Sequence, residues 1–377
     1  MRGWVAAEAR AVAARAEEDL AALVAVSSPS GDVPGAEAAV AVARAMLPPE
    51  AEVERLPCSS PGHAEDLVGR LRGSGEGTLL LLGHLDTVVS HEAHRPLERR
   101  EERLMGSGSV DMKGGVALAL GVLRTLAGVP EGYAEVSLLL VNDEEWRRHS
   151  FTHAERFAGV DACLCFEAGQ LAPGGEDAVV VRRKAAGTLR VEAHGAAAHS
   201  GAAPEKGRNA LLALARAAEV VAERHDPEGE EHLTAVPTIL HSGDAFNVVP
   251  AAGELFCDLR ADTLSAIEAV VDALPDQVGG AALTGELIRR WPGMDARQAT
   301  AGLLAQAGER LGRPVVGAAR GGASDASHMA AFVPVTVDGL GPRGGAAHNP
   351  EEWVRADSLG SRAEVALAVA AAVLGLT

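Results

Sequence analysis

Cysteine is scarce in this sequence, with 4 residues among 377. The four thiols are too few to frame a chain of this length with disulfide bonds, and no two of them form a CxxC pair. They are Cys58, Cys163, Cys165 and Cys257. This pattern excludes a disulfide scaffold and predicts a reducing compartment.

Long apolar runs are also missing. The first 24 residues carry charges every few positions, which does not match the uninterrupted apolar stretch of a signal peptide. The most apolar long segment, Val365 to Leu376, is too short to span a bilayer and predicts a packed terminal helix. We therefore expect a cytoplasmic protein that is not inserted in a membrane.

Basic residues are fewer than acidic ones, with 34 Lys plus Arg against 52 Asp plus Glu, so the formal net charge is −18. Such a field repels phosphate backbones and anionic lipid, which excludes nucleic acid and membrane surfaces as expected partners. Hydrophobic residues make up 47% of the chain and charged residues 23%, as in ordinary globular proteins. A length of 377 residues then favours two domains.

The hydrophobic pattern predicts two different architectures. Apolar runs without polar alternation, such as 78–87, 136–145 and 161–169, alternate with helical segments and indicate an α/β domain with a mostly parallel sheet flanked by helices. From about residue 183 the apolar residues alternate, which is typical of an antiparallel sheet. The helix and strand pattern returns after residue 291. We therefore predict a catalytic domain of residues 1–182 and 292–377, with an inserted α+β domain at 183–291.

Metal-ligand side chains follow four apolar runs, and this is the most informative feature of the sequence. In an open α/β sheet the carboxyl ends of the strands form the ligand-binding edge, so these residues are predicted to converge. They are His84 and Asp86, then Asp143, Glu144 and Glu145, then Glu167, and finally His348.

Each of these motifs has an ordinary structural interpretation when taken alone. The His84-x-Asp86 pair is as typical of a core histidine as of a ligand, and an isolated DEE is more often a solvated acidic loop. The segment GSGSVDMKGG around Asp111 also fits a plain glycine loop. It is not a phosphate loop, because Gly114 stands where that motif requires Ser or Thr after the Lys.

Nine motifs in order resemble the M20 family of zinc metallopeptidases and amidohydrolases, which includes glutamate carboxypeptidase, acetylornithine deacetylase and succinyl-diaminopimelate desuccinylase. They cover nearly the whole chain: GHLDT, DMKGG, NDEE, CFEAG, AHSG, FNVVP, DLR, GGASDASHMA and GGAAHNPEEWV.

This resemblance implies a site for two Zn²⁺ ions per chain, with Co²⁺ or Mn²⁺ as possible substitutes. Asp111 would bridge the ions, His84 and Glu167 would complete one site, and Glu145 and His348 the other. Glu144 would be the general base and Asp86 would orient His84. Imidazole and carboxylate ligands suit zinc. The resemblance also implies a cis peptide bond after Asp111.

The inserted domain is implied to close over the site and to form a homodimer. His199 resembles the family histidine that reaches into the partner's site and stabilises the developing oxyanion; its alternative role is a hydrogen-bonded surface histidine. Asn247 and Arg260 match substrate-binding positions, and an Arg fork suits a carboxylate. The loop of Gly321, Gly322 and Ser324 either offers backbone N–H groups to that carboxylate or is an ordinary turn.

The implied function is hydrolysis of an amide bond with release of an amino acid that has a free α-carboxylate. Expected substrates are short peptides or N-acyl amino acids, because Glu167 and the GGASDAS motif resemble the carboxypeptidase and deacylase branches. Alternatives are an aminopeptidase or dipeptidase of the same family, or a catalytically silent metal-binding relative. The segment Trp146 to Phe151 departs from the family pattern, and it would either alter the pocket or contact an anionic substrate.

Overall fold

The computed structural model describes residues 2–376 of the chain. Its α-helices are α1 Arg2–Val24, α2 Val33–Ala45, α3 Gly114–Ala127, α4 His153–Arg156, α5 Ala210–Ala222, α6 Leu264–Asp272, α7 Arg297–Leu311, α8 Asp325–Ala330 and α9 Ala356–Val373. Across these described residues, no helix combines the length and the apolar character that crossing a bilayer requires.

The first strands of the chain are β1 Glu52–Leu56, β2 Asp66–Arg72, β3 Thr78–His84, β4 Glu98–Arg100, β5 Arg103–Met105, β6 Glu135–Val141, β7 Ala162–Cys165, β8 Gln170–Leu171, β9 Asp177–Arg183 and β10 Ala185–His194. They are followed by β11 Ala198–His199, β12 Thr234–Ser242, β13 Val248–Val249, β14 Ala252–Ala261, β15 Gln277–Val278, β16 Ala281–Trp291, β17 Met294–Asp295, β18 Val315–Arg320, β19 Thr336–Val337, β20 Gly344–Gly345 and β21 Trp353–Arg355.

The chain divides into two compact units. The first contains the chain up to Arg182, then Asp295–Arg320, and the residues from Ser324 onward. The second contains Arg183–Met294 and Gly321–Ala323. The second unit therefore extends three residues beyond the predicted insertion of 183–291 and also includes part of the GGAS loop.

The first unit is built on a six-stranded sheet with the order β1-β2-β6-β3-β7-β19. Strand β3 pairs in parallel with β6 and β7, and β7 pairs in parallel with β19. Strand β2 is antiparallel to both β1 and β6. Six of the seven residues of β3 are buried, because its apolar side chains are covered on both faces. Helices α1, α3 and α9 contact one another beside this sheet.

The second unit contains a five-stranded antiparallel sheet with the order β12-β14-β10-β16-β15. Along β10 buried residues alternate with more exposed ones, as expected when one face of a sheet is covered. Helices α5 and α6 contact this sheet, and their apolar residues form a separate core with it. The predicted fold class, an α/β unit with a mostly parallel sheet and a separate antiparallel sheet, is confirmed.

Candidate metal centre

Three neighbouring parallel strands bring the predicted ligands to one edge of the large sheet. His84 is the last residue of β3, Glu144 and Glu145 follow β6, and Glu167 lies two residues after β7. Because parallel strands end at the same edge, side chains that are far apart in sequence meet there. The peptide bond between Asp111 and Met112 is cis, as the resemblance implies.

Two groups of ligand-type side chains share Asp111. One consists of His84, Asp111 and Glu167, the other of Asp111, Glu145 and His348, and within each group the ligand atoms lie within 4.8 Å of one another. His84 Nε2 is 3.2 Å from Asp111 Oδ1, whereas His348 Nε2 is 3.1 Å from Asp111 Oδ2. The two oxygens of Asp111 therefore face different groups, as in a bridging carboxylate.

The remaining distances complete each group. His84 Nε2 is 3.8 Å from Glu167 Oε1, and His348 Nε2 is 3.2 Å from Glu145 Oε2. Glu145 Oε1 is buried and has no hydrogen-bond partner. A buried carboxylate oxygen without a partner is costly, and a bound cation would satisfy it. Two imidazoles and three carboxylates form a donor set that suits zinc or a similar divalent ion, so the residues present fit a two-metal site.

The carboxylates make this pocket strongly negative. Hydrogen bonds to Asp111 and Glu145 raise the pKa of His348 to about 10 against the opposing effect of partial burial. Burial opposes ionisation of Asp111, but hydrogen bonds from His348 and His84 outweigh it and lower the pKa of Asp111. A proton and a metal ion compete for the same imidazole nitrogen, so a field that favours the proton also favours a cation.

Glu144 differs from the ligand carboxylates because it belongs to neither group. Only 7% of its surface is exposed. Burial raises the pKa of Glu144 well above its ordinary value, and the neighbouring charge of Glu167 acts in the same direction, while His84 opposes both. A carboxyl group with a raised pKa beside a metal site has the properties of a general base.

Asp86 contacts more than the histidine that it was expected to orient. The His84 Nδ1 atom is 3.0 Å from the backbone oxygen of Asp86 and 3.4 Å from its carboxylate. The same carboxylate accepts hydrogen bonds from the backbone N–H groups of Glu144, at 3.2 Å, and Glu145, at 3.1 Å. Asp86 thus connects the end of β3 with the loop that carries the candidate base.

Glu352 is a site residue that the sequence reasoning missed. It is buried, and its carboxylate accepts hydrogen bonds from the backbone N–H groups of Gly108, Val110 and Asp111. It therefore holds the loop that presents Asp111. The signal for it was its position four residues after His348, but a second acid beside the exposed Glu351 does not reveal which of the two is buried.

The predicted substrate residues His199, Asn247 and Arg260 lie in the second unit. The ring of His199 accepts hydrogen bonds at Nδ1 from the backbone N–H groups of Gly201 and Ala202. Nδ1 is therefore the acceptor, and the other nitrogen, Nε2, carries the proton. The backbone oxygen of Asn247 accepts a hydrogen bond from the N–H of Ser200. The guanidinium of Arg260 is paired with Asp258 at 3.0 Å.

Two residues of the GGAS loop, residues 321–324, form hydrogen bonds with side chains outside the loop. The backbone oxygen of Gly322 accepts a hydrogen bond from Arg183 Nη1 within the second unit. In the first unit, the Ser324 hydroxyl donates to Asp338 Oδ2 at 2.7 Å, and Ser324 is buried. Gly321 has open space where a side chain would begin.

Comparison with known proteins gives a consistent result. The model of "Peptidase family M20/M25/M40" matches residues 80–372. Carboxypeptidase G2 from Pseudomonas sp. (strain RS-16) is 31% identical over 205 residues, which cover 52% of this chain and 47% of that protein. The chain thus spans about half the length of that relative. Succinyl-diaminopimelate desuccinylase from Stenotrophomonas maltophilia (strain R551-3) is 31% identical over 313 residues, 76% of this chain and 81% of that protein.

Solved structures agree on the fold. Aminopeptidase PepT from Bacillus cereus ATCC 10987 is similar with a TM-score of 0.76 and 20% identity, covering 96% of this chain and 98% of that chain. The Bacillus subtilis YXEP protein, described as a dinuclear metal binding peptidase from the M20 family, has a TM-score of 0.71 and 15% identity. It covers 98% of this chain and 99% of that chain.

Proposed function

The chain belongs to peptidase family M20/M25/M40, and from this premise we propose that it hydrolyses an amide bond and releases an amino acid with a free α-carboxylate. The family, and the named relatives that this chain resembles, indicate a hydrolase. The observation that carries the proposal is the carboxylate of Asp111, whose two oxygens face two separate sets of ligand side chains.

We propose two zinc ions as the cofactor, with cobalt or manganese as substitutes. His84 and Glu167 would hold one ion, Glu145 and His348 the other, and Asp111 both. When bound, two such cations polarise a scissile carbonyl and lower the pKa of a water molecule. The description of the Bacillus subtilis neighbour as a dinuclear metal binding peptidase supports the count.

Glu144 is proposed as the residue that moves the proton. Its carboxylate takes a proton from the attacking water and passes it to the leaving nitrogen, so that the amine departs as a neutral group. Asp86 supports this role because its carboxylate accepts a hydrogen bond from the backbone N–H of Glu144. This hydrogen bond fixes the start of the loop. Burial of Glu144 excludes bulk water, and its raised pKa helps it hold the proton between the two steps.

His199 is proposed to stabilise the oxyanion that develops on the scissile carbonyl. Its Nδ1 atom is occupied by two backbone N–H groups, so the proton on Nε2 is available as a donor. The alternative of a surface histidine with only a structural role remains, and exchange of His199 for Ala distinguishes the two.

A substrate with a free carboxylate is supported by two considerations. One relative is named as a carboxypeptidase, and a carboxypeptidase removes the residue that carries the free α-carboxylate of its substrate. A chain with a net charge of −18 also needs local cations to hold an anion, and Arg260 with Asn247 would provide recognition. The alternative is an aminopeptidase or dipeptidase, the activity named for several structural neighbours.

A matched substrate series tests the proposal. Purified protein with added zinc or cobalt is given N-acyl amino acids and dipeptides, each as the free acid and as the C-terminal amide. We expect kcat/KM for the free acids to exceed that for the amides by about 100-fold, because an anchoring ion pair is lost. An aminopeptidase would instead require a free amino terminus and tolerate the amide. Equal turnover of both forms contradicts the proposal.

Replacement of Glu144 separates the enzyme from a catalytically silent metal-binding relative. We expect Glu144→Gln to lower kcat by about 10³-fold, because the general base is lost. Metal content should stay at the native value, since Glu144 belongs to neither ligand group. Hydrolysis that is absent in the native protein would favour the silent relative, whereas hydrolysis that is unchanged in the variant would contradict the role of Glu144 as the base.

We also propose a homodimer formed through the second unit. Apolar residues are exposed on the edge strand β12 and on α5 of that unit, namely Val236, Ile239, Leu240, Leu211 and Leu212. An edge strand with exposed backbone and apolar side chains is a natural place for pairing with a second copy.

A further inference from the structure

The segment Trp146–Phe151 follows the metal ligand Glu145, and the function described so far gives it no role. Its side chains differ in their exposure to solvent. Trp146 is 60% exposed, and Arg148 and His149 are also exposed, whereas Arg147 is completely buried. Because it is buried, Arg147 is not available to contact an anionic substrate, which is one of the two roles predicted for this segment.

Arg147 binds two carboxylates, one four residues before it and the other 178 residues after it. Its Nε and Nη2 atoms donate to Asp143 Oδ1, at 3.0 and 2.7 Å. The Nη1 atom donates to Asp325 Oδ1, and Nη2 also donates to Asp325 Oδ2 at 3.0 Å. The guanidinium lies over the ring of Phe151, 4.5 Å from its centre. These contacts fill both edges of the guanidinium fork and cover one face.

Both carboxylates stand next to the candidate active site. Asp143 directly precedes Glu144, so it belongs to the same loop as the base and the ligand Glu145. Asp325 is the first residue of α8, and its charge acts on both Glu144 and His84. Helix α8 contacts β3 and β7, whose ends carry two of the predicted ligands.

A buried guanidinium between two carboxylates has two physical consequences. A planar fork with bidentate hydrogen bonds fixes both distance and orientation, which an ammonium group cannot do. It also offsets negative charge in a region where burial strengthens every electrostatic interaction. Without Arg147, Asp143 and Asp325 would be unpaired buried charges close to Glu144.

We propose that Arg147 is a positioning residue that links the loop of Glu144 and Glu145 to the first turn of α8 and offsets the charge of Asp325 beside the base. This proposal rests on the proposed function. It assigns Arg147 to the rate of the chemical step and not to substrate binding, because its guanidinium is fully buried and hydrogen-bonded to the two carboxylates.

The first test compares Arg147→Met with Arg148→Met, the exposed neighbouring arginine. We expect Arg147→Met to lower kcat at least 30-fold with KM changed less than threefold, and Arg148→Met to stay within twofold of the native protein. Arg147→Lys should lie between, since it keeps the charge and loses the fork. An Arg147→Met variant that matches Arg148→Met in kcat overturns the proposal.

A second readout does not depend on activity. Amide hydrogen exchange should accelerate together in residues 143–147 and 324–330 of Arg147→Met, and in neither segment of Arg148→Met. Coupled exchange with no amide hydrolysis by the native protein would refute the proposed function while leaving the link intact. Unchanged exchange in residues 324–330 would refute the link itself.

Removal of the partner charge distinguishes this role from simple loss of packing. Asp325→Asn should lower kcat in the native background, because the link is broken, and raise kcat in the Arg147→Met background, because an unpaired charge is removed. The same sign in both backgrounds contradicts the proposal.

If Arg147→Met does not fold, the triple variant R147M/D143N/D325N is used instead. It removes the guanidinium together with both carboxylates, so none of the three positions keeps an unpaired buried charge. We expect it to fold and to keep a kcat at least 30-fold below the native value. A native kcat in this variant overturns the proposal.

Discussion

The carboxylate of Glu352 accepts hydrogen bonds from the backbone N–H groups of Gly108 at 2.8 Å, Val110 at 2.7 Å and Asp111 at 2.9 Å. It binds neither ligand group, yet it determines where the shared carboxylate of Asp111 lies. Residues that orient a ligand in this way commonly contribute to metal affinity without contacting the metal.

Glu352→Gln is predicted to weaken metal binding by about 10–100-fold, because the amide group cannot accept all three N–H donors. The measurement is a titration with zinc in competition with a chelator of known affinity. Glu351→Gln is the matched control, since Glu351 is exposed and pairs with Arg95 on the surface. Equal affinities of the two variants would show that Glu352 does not position Asp111.

Asp66 provides a pH-dependent prediction away from the metal ligands. Burial raises the pKa of Asp66 from 3.8 to about 6, although a hydrogen bond with His153 acts in the opposite direction. The folded chain therefore keeps the proton up to about pH 6, whereas the unfolded chain releases it near pH 3.8. Between these values the folded state binds more protons, so the free energy of unfolding falls as the pH rises.

Asp66→Asn should remove this contribution, because an amide can donate to His153 and accept from Asn142 without a charge. Relative to the variant, the native protein should lose up to about 3 kcal/mol of stability between pH 3.5 and pH 7. Urea unfolding of both proteins at several pH values measures the difference. A difference that does not change with pH would mean that the pKa of Asp66 is not raised.

Single residues were predictable where chemistry and position coincide. His84 ends a buried strand, and Glu144, Glu145 and Glu167 follow buried strands, so the sheet itself brings these side chains together. Arg147 could not be predicted, because its acceptor Asp325 lies 178 positions away and nothing in the local sequence indicates that an Arg beside a Trp is buried.

At the level of elements, the position of helix α3 depends on the absence of a side chain at Gly115. A Cβ atom on Gly115 would lie 1.8 Å from the backbone oxygen of Phe166, the residue before Glu167. The first turn of α3 can therefore approach the end of β7 only without a side chain at this position. This close approach brings the loop of Asp111 and the ligand Glu167 to the same place.

Gly115→Ala is predicted to destabilise the protein by about 1–3 kcal/mol, because the helix must move away from the strand end. Gly302→Ala in α7 is the matched control: no atom outside the local helix backbone lies within 4 Å of its Cβ position. The better helix propensity should therefore stabilise the protein by up to about 1 kcal/mol. Denaturant unfolding measures both. The same sign for the two variants would contradict the close approach.

The order of helices and strands was largely predictable from hydrophobic periodicity. The apolar run 78–87 contains β3, and the apolar run 161–169 contains β7. The antiparallel position of β2 between β1 and β6 was not predicted, because strand order depends on pairings that periodicity does not encode.

For the whole molecule, a dimer through the second unit is predicted to depend on β12. Ile239→Asp places a charge on this exposed apolar edge, which disfavours pairing. Light scattering should give twice the chain mass of 38.7 kDa for the native protein and the chain mass for the variant. Leu171→Asp, an exposed leucine of the first unit, should leave the mass unchanged. A native monomer would refute the dimer.

The dimer also allows a test of whether His199 acts on the partner's site. Glu144→Ala and His199→Ala should each be inactive alone. After subunit exchange, a mixed dimer would contain one site with both residues, so activity should return to about a quarter of the native value. A mixture that stays inactive despite exchange would mean that His199 acts within its own chain, and a His199→Ala variant that is active alone would mean that His199 has no catalytic role.

The central claim is that two divalent ions share the carboxylate of Asp111. Anomalous diffraction at the zinc absorption edge, from crystals grown with zinc, tests it most directly. We predict two peaks, one beside His84 and Glu167 and one beside Glu145 and His348, each about 2.0–2.2 Å from an oxygen of Asp111. A single peak, or two peaks of which either is out of bonding distance of Asp111, would contradict the account.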